Sequence, residues 1–316
     1  MNKFNQPVIN DNWIISGRGS KNSVVLDMPY AWFVEKERTV TGKTEDTAII
    51  FLTNRECPFH CLMCDLWKNT TDSTSPAGSI PAQIEYALSR LPSARHLKLY
   101  NSGSFFDERA IPESDYNSIA SMIRHFDTVL VESHPGYVND RTLRFRDSLI
   151  PSLQVAIGLE TVHTDVLRKL NKKMTAEDFR NTVVFLGKNV IQTRAFILLK
   201  PPFLSEEEGI FWAERSIEYA FDSGTECCSV IPVRPGNGAM DILQSQGLFS
   251  PPRVKSLEKV LEFGIRKGKG RVFADLWDLE TFSSCEKCFQ KRRDRLEYMN
   301  LNQAIPPEIK CSCNNN

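Results

Sequence analysis

Six short apolar segments recur along this chain, each followed by a stretch with helix punctuation, and few folds satisfy that order. Residues 47–53 form an unbroken run, Thr47-Ala48-Ile49-Ile50-Phe51-Leu52-Thr53, the pattern of a parallel strand covered on both faces. Residues 97–100, 128–132, 154–160, 194–199 and 228–233 repeat it. Between them lie helix signals. Ser79 stands as an N-cap with Pro81 in the first turn, and a helix is expected over residues 113–126. Thr175 with Asp178, and Ser205 with Glu208, read as capping boxes, and Gly224 stands at a helix C′ position. An amphipathic stretch covers residues 254–267. Alternating strands and helices predict an α/β fold, a partial (β/α)6 parallel barrel built from right-handed crossovers. Chemistry in such barrels sits at the C-terminal ends of the strands. The division expected is a lead-in at 1–45 packed on the barrel edge, the barrel at 46–276, and a small cysteine-rich tail at 277–316. The lead-in carries an aromatic patch at residues 29–33.

At the end of the first strand stand Cys57, Cys61 and Cys64, spaced C-x3-C-x2-C. No fourth cysteine or histidine follows at ligand spacing. Iron–sulfur clusters are normally closed by four thiolates, so three would hold three corners of a [4Fe–4S] cluster and leave one iron open. A zinc site with His60 as a further ligand, or three free thiols, are the other readings of the same spacing.

The chain has 316 residues with 39 basic and 39 acidic side chains, a balance without a global pull toward nucleic acid or anionic membrane. No apolar run reaches the ~18 residues of a membrane span, and the first residues lack a signal-peptide core. A cytoplasmic location is expected. Nine cysteines in a reducing compartment point to metal, not disulfides. Cys285, Cys288, Cys311 and Cys313 form two short-spaced pairs that read as a tetrathiolate site, for zinc or an auxiliary iron–sulfur cluster. Cys227 and Cys228 are neighbours on a strand, point to opposite faces and read as core.

The strand ends carry the remaining candidates. Ser102-Gly103-Ser104 follows the second strand, where glycine permits close backbone approach and the serines offer hydrogen bonds. Glu132, followed by His134, ends the third strand, and Glu160 ends the fourth, where a buried carboxylate needs a partner. Arg194 at the start of the fifth strand and Arg234 after the sixth are candidate partners for a carboxylate or substrate.

The cysteine spacing, with Phe59 and Met63 between the thiols, resembles the signature of the radical SAM superfamily. That resemblance implies a partial barrel of radical SAM type, a [4Fe–4S] cluster on Cys57, Cys61 and Cys64, and S-adenosylmethionine on the open iron. It implies reductive cleavage to a 5′-deoxyadenosyl radical that takes hydrogen from a substrate, with a flavodoxin- or ferredoxin-class reductant. Ser102, Gly103, Ser104, Glu132, Glu160, Arg194 and Met63 are the cofactor-binding residues it implies, although Ser102-Gly103-Ser104 departs from the usual Gly-Gly-Glu. A narrower resemblance rests on residues 100–107, 158–161, 170–175 and 199–203. These are similar to the archaeosine-forming radical SAM lyases, which cleave a lysine adduct on a 7-deazaguanine in tRNA. It implies lyase-type chemistry on a modified nucleoside, tRNA or small molecule. The competing reading is a non-catalytic, metal-bound RNA-binding or adaptor protein, whose contact would be the basic run at residues 291–295.

Overall fold

In a computed structural model, which describes residues 7–315, the apolar runs form neighbouring strands of one sheet whose spatial order is the chain order. The strands are β1 (Ala31–Arg38), β2 (Thr44–Leu52), β3 (His96–Asn101), β4 (Thr128–Glu132), β5 (Ser152–Glu160), β6 (Gln192–Leu199), β7 (Cys227–Pro232) and β8 (Arg271–Ala274). Strand β1 pairs antiparallel with β2, and every later pair is parallel. The helices are α1 (Asp11–Ser16), α2 (Ser79–Leu88), α3 (Tyr116–Ile123), α4 (Asp140–Ser148), α5 (Thr164–Lys169), α6 (Ala176–Lys188), α7 (Glu206–Asp222), α8 (Ala239–Ser245), α9 (Val254–Lys267) and α10 (Glu286–Asn302).

The six expected strands are β2 to β7. One face of the sheet carries Ile50, Leu99, Val131, Ile157, Ile197 and Val230 into a core shared with Ile84, Ile119, Phe179, Ile217 and Leu257 of the helices. Burying each such side chain contributes about 1.5–3 kcal/mol. The boxes at Thr175 and Ser205 form, with Asp178 N donating to Thr175 Oγ1 at 3.1 Å and Glu208 N to Ser205 Oγ at 3.2 Å. Two expectations shift. Ser79 lies inside α2, because Gly78 (φ 88°) takes the cap position and the Asp115 carboxylate accepts from its N–H at 2.9 Å. The helix expected over residues 113–126 is a 3₁₀ turn at Glu113–Asp115 followed by α3.

Strands β1 and β8 are additions at the two ends of the sheet. Residues 31–38 of the lead-in extend the barrel wall. They send Glu35 and Glu37 inward, where Lys98 pairs with both carboxylates, reaching Glu35 at 2.8 Å. Arg194 grips Glu37 through two nitrogens, at 2.5 and 3.0 Å, and is 3 % exposed. Burial alone would raise the Glu37 carboxyl, but Arg194 and Lys98 together hold it well below the usual range. The expectation that Arg194 binds a cofactor is therefore corrected. It lies early in β6, level with Cys227 at the start of β7, and its guanidinium is committed to β1.

Candidate functional site

The three-cysteine loop leaves the C-terminal end of β2, and its shape is set by groups far away in the chain. Leu62 is fully buried among Ile14, Val166, Leu170, Leu198 and Met240, with Met63 packed partly against the same cluster. Leu62 N donates to Leu170 O at 2.9 Å. Asn171 Nδ2 donates to His60 O at 2.7 Å, and Asn237 Nδ2 donates to Leu62 O at 2.8 Å and Cys64 O at 3.1 Å. These amides satisfy carbonyls that a tight loop leaves unpaired. On the other side lies Gly103 at φ 142°, where an added Cβ would stand 3.0 Å from Cys57 Cβ. Only glycine lets residues 102–104 approach the first cysteine this closely.

Burial pushes each of the Cys57, Cys61 and Cys64 thiols up to about 12, with the Lys172 ammonium offsetting part of this at Cys57 and Cys61 and the Arg18 guanidinium at Cys61 and Cys64. Three neighbouring thiolates in this desolvated loop are therefore costly without a metal to compensate their charge. Among the described residues, the group whose ligand atoms lie within 4.8 Å of one another is the tail set of Cys285, Cys288, Cys311 and Cys313.

The strand-end residues gather around this loop. Ser102 Oγ donates to Leu66 O at 2.9 Å, and Ser104 Oγ accepts from His134 N at 2.9 Å, so each hydroxyl is oriented by the site's own loops while Ser102 keeps acceptor capacity and Ser104 its O–H. Asn101, just before them, has both side-chain amide atoms buried without a partner. Glu132 accepts from Asn101 N at 2.8 Å. Glu160 sits on a bulge of β5 at φ 65° and pairs with Lys172, whose ammonium is buried. An added Cβ on Gly158 would lie 2.0 Å from Glu160 Oε1 and 2.2 Å from Lys172 Nζ, so the pair rests directly on bare backbone. His134 stacks on Phe59 with ring centroids 3.9 Å apart, and burial pushes its imidazole down to about 4. Its Nδ1 accepts from Gly136 N at 3.0 Å, which leaves Nε2 as the donor to Lys172 O at 2.9 Å.

Burial pushes the Glu132 carboxyl up to about 8, against the Asn101 hydrogen bond and the Lys172 charge, which lower it. The unfolded chain ionises near about 4.3. Between those values the folded state holds a proton that the unfolded state releases. The associated stability is present below the unfolded value and is lost as pH rises through about 8. Glu132→Gln is therefore expected to be about 2–4 kcal/mol more stable than wild type near pH 9, with no such advantage near pH 4. Denaturant unfolding at both pH values checks this, and a pH-independent difference would refute the assignment.

Of the expected cofactor residues, the structure brings Ser102, Gly103, Ser104, Glu132 and Glu160 to the loop and keeps Arg194 in the β1 ion pair. Met63 turns toward the apolar cluster beneath the loop. Arg234 pairs with Asp275 at 2.9 Å and also donates to Trp277 O, at the mouth of the barrel. Asn171 and Lys172 lie in the 170–175 stretch and Asn237 in the turn after β7, but nothing in the sequence assigned any of them a contact with the cysteine loop or with Glu160. Cys227 and Cys228 are buried in β7, as expected of core residues. The basic run of α10 is not a free patch. Arg292 pairs with Glu258, and Arg295 reaches Glu258 at 3.3 Å and Glu262 at 2.8 Å, both arginines being about 95 % buried. No helix among the described residues is long and apolar enough to cross a membrane.

No protein-family model matches the chain. It is 26% identical over 246 residues to archaeosine synthase subunit beta of Thermococcus kodakarensis, covering 73% of this chain and 76% of that subunit. It is 26% identical over 210 residues to archaeosine synthase subunit beta of Methanosarcina acetivorans, covering 64% of this chain and 60% of that subunit. Among solved structures, methylornithine synthase superposes with a TM-score of 0.56 at 15% identity, over 83% of this chain and 73% of that one. An N-terminally truncated Elp3 of Methanocaldococcus infernus superposes with a TM-score of 0.52 at 13% identity, over 80% and 63% of the two chains.

Proposed function

We propose that this chain, an enzyme of the radical SAM superfamily similar in sequence to archaeosine synthase beta subunits, binds a [4Fe–4S] cluster through Cys57, Cys61 and Cys64 and S-adenosylmethionine beside it. The observation that carries the reading is the convergence of three half-buried cysteines, glycine-opened backbone at 102–104, and two strand-end carboxyl groups on one end of the barrel. The residues fit the group. One loop supplies three free thiols, Gly103 brings bare backbone up to the first of them, and the unpartnered Asn101 amide offers polar atoms to a ligand. When bound and reduced, such a cluster supplies the electron that cleaves the cofactor to a 5′-deoxyadenosyl radical.

The chain's own part is to bind, orient and keep water out. The main chain of residues 102–104 and the side chain of Glu132 would hold the polar ends of the cofactor. Lys172, the buried ammonium near the thiols, offers its charge to the methionine carboxylate and takes Glu160 as its counter-ion. Phe59, held flat by His134, offers a face for the adenine. A separate row of aromatic rings, Phe33, Phe51, Tyr100 and Phe196, runs across β1, β2, β3 and β6 and suits a planar substrate such as a modified nucleobase. The naming of the relatives as beta subunits supports a second subunit as partner; a lyase-type cleavage and a flavodoxin- or ferredoxin-class reductant are what the sequence resemblance implies.

The test is anaerobic reconstitution with iron and sulfide, followed by dithionite and S-adenosylmethionine. About four irons bound at the loop, with release of 5′-deoxyadenosine, is the expected result. No iron–sulfur absorbance and no cleavage would overturn the reading. The adaptor alternative keeps only part of its contact surface, since Arg292 and Arg295 are turned into ion pairs with α9 while Lys291 and Arg293 stay exposed.

A further inference from the structure

The two ends of the sheet, β1 and β8, are not paired with each other, and α10 lies across the gap between them. An open strand edge exposes unpaired main-chain groups, and α10 closes this one with side-chain amides. Asn300 Oδ1 accepts from Ala274 N and Asn300 Nδ2 donates to Ala274 O, each at 2.8 Å. Gln303 does the same for Val272, with Oε1 accepting from its N–H and Nε2 donating to its carbonyl, again at 2.8 Å. Two amides thus stand in for a neighbouring strand. At the other end of the sheet, Thr44 Oγ1 of β2 donates to Leu301 O at 3.1 Å and Arg38 Nη1 of β1 to the same oxygen at 3.3 Å.

Leu296 and Met299, with Phe289 partly buried, give this helix its apolar contact with the core. Its buried residues are Cys288, Arg292, Arg295, Leu296 and Met299, of which Leu296 and Met299 are the large apolar ones. After α10 the chain turns back along the helix. Arg295 donates to Pro306 O at 2.8 Å and to Pro307 O at 2.9 Å, and Arg292 reaches Ile309 O at 3.4 Å. The returning tail delivers Cys311 and Cys313 to Cys285 and Cys288 at the start of α10. There Cys285 Sγ lies 3.9 Å from Cys311 Sγ, and Cys288 Sγ lies 3.5 Å from Cys313 Sγ.

Four thiolates at about 2.3 Å from one tetrahedral ion stand about 3.8 Å apart. The thiolates of a four-iron cluster each bind a different corner and must stand further apart. The four tail sulfurs, all within 4.8 Å of one another, match the single ion. We propose that Cys285, Cys288, Cys311 and Cys313 take one tetrahedral ion of the zinc class, and that this ion staples the α10–tail hairpin so that α10 stays over the seam between β1 and β8. The staple is structural and separate from the cluster loop, so it does not rest on the radical reading.

The experiment compares wild type with Cys311→Ser/Cys313→Ser by metal analysis and by hydrogen exchange at the Val272 and Ala274 amides. One zinc per chain in wild type is expected, lost in the variant while the loop iron stays, with exchange at both amides at least about tenfold faster. Loss of iron in place of zinc would assign a second cluster and overturn the proposal. Retention of zinc would show that these thiols are not its ligands. Loss of zinc with unchanged exchange would refute the staple. If the double variant fails to fold, cobalt(II) exchanged into wild-type chain gives the same decision. Intense tetrahedral thiolate bands support the site, and weak octahedral bands or no binding overturn it. Asn300→Ala/Gln303→Ala is expected to keep the zinc and raise exchange at Val272 and Ala274, and unchanged exchange there would remove α10 from the seam.

Discussion

Cys61→Ala is expected to lower S-adenosylmethionine cleavage at least about a thousandfold while leaving the chain folded and its tail metal in place. Cys61 lies between the other two thiols of the loop, and its removal leaves two thiolates where a cluster with one open iron needs three. The loop would keep its shape, because Leu62 stays buried and the amides of Asn171 and Asn237 still hold His60 O, Leu62 O and Cys64 O. The variant therefore separates loss of metal from loss of fold. Iron content, iron–sulfur absorbance and 5′-deoxyadenosine release are to be read beside thermal unfolding, with the tail zinc as an internal standard. Undiminished cleavage in this variant would sink the cluster assignment, whereas unfolding alone would show the thiol to be a packing residue.

Lys172→Met is expected to cost about 3–5 kcal/mol of stability, because it leaves the Glu160 carboxylate buried without its counter-ion. Glu160 cannot swing away cheaply. It is held at φ 65° on the β5 bulge, and its carboxylate lies over Gly158 against the Lys172 ammonium. Adding Glu160→Gln to Lys172→Met removes the stranded charge and is expected to restore most of that stability. Binding of S-adenosylmethionine should not return with it, since the double variant still lacks the cation beside the thiols. Unfolding midpoints and equilibrium cofactor binding to the oxidised protein distinguish the outcomes. Recovery of both properties in the double variant would mean that Lys172 serves Glu160 alone.

Arg194 shows why a residue type at a strand position does not assign a role. In sequence it is a cation entering an apolar strand, equally suited to a ligand carboxylate or a protein one. Its partner, Glu37, lies on a segment whose Glu35-Lys36-Glu37-Arg38 pattern reads as exposed surface. Only after the sheet curls do Glu35 and Glu37 face Lys98 and Arg194 across the barrel. The α10 basic run errs in the opposite direction. It reads as a solvated or RNA-facing surface, yet Arg292 and Arg295 are drawn inward by Glu258 and Glu262 of a neighbouring helix.

Local order was legible because it depends on neighbours in sequence. Apolar runs specify β2 to β7, Thr175 with Asp178 and Ser205 with Glu208 specify two helix starts, and the spacing of Cys57, Cys61 and Cys64 specifies a three-thiol loop. The site residues at strand ends followed from the same register, since a parallel array brings all its C-terminal ends to one face. Tertiary structure decided whatever depends on a partner distant in the chain: Lys172 over Gly158, Asn171 and Asn237 on the cysteine loop, Glu37 with Arg194, and Asn300 and Gln303 on the edge of β8. Those contacts join charged or amide groups whose net gain is small unless both partners are buried together. A pattern of single residues cannot announce them, because the energy that selects each one exists only once the barrel has closed.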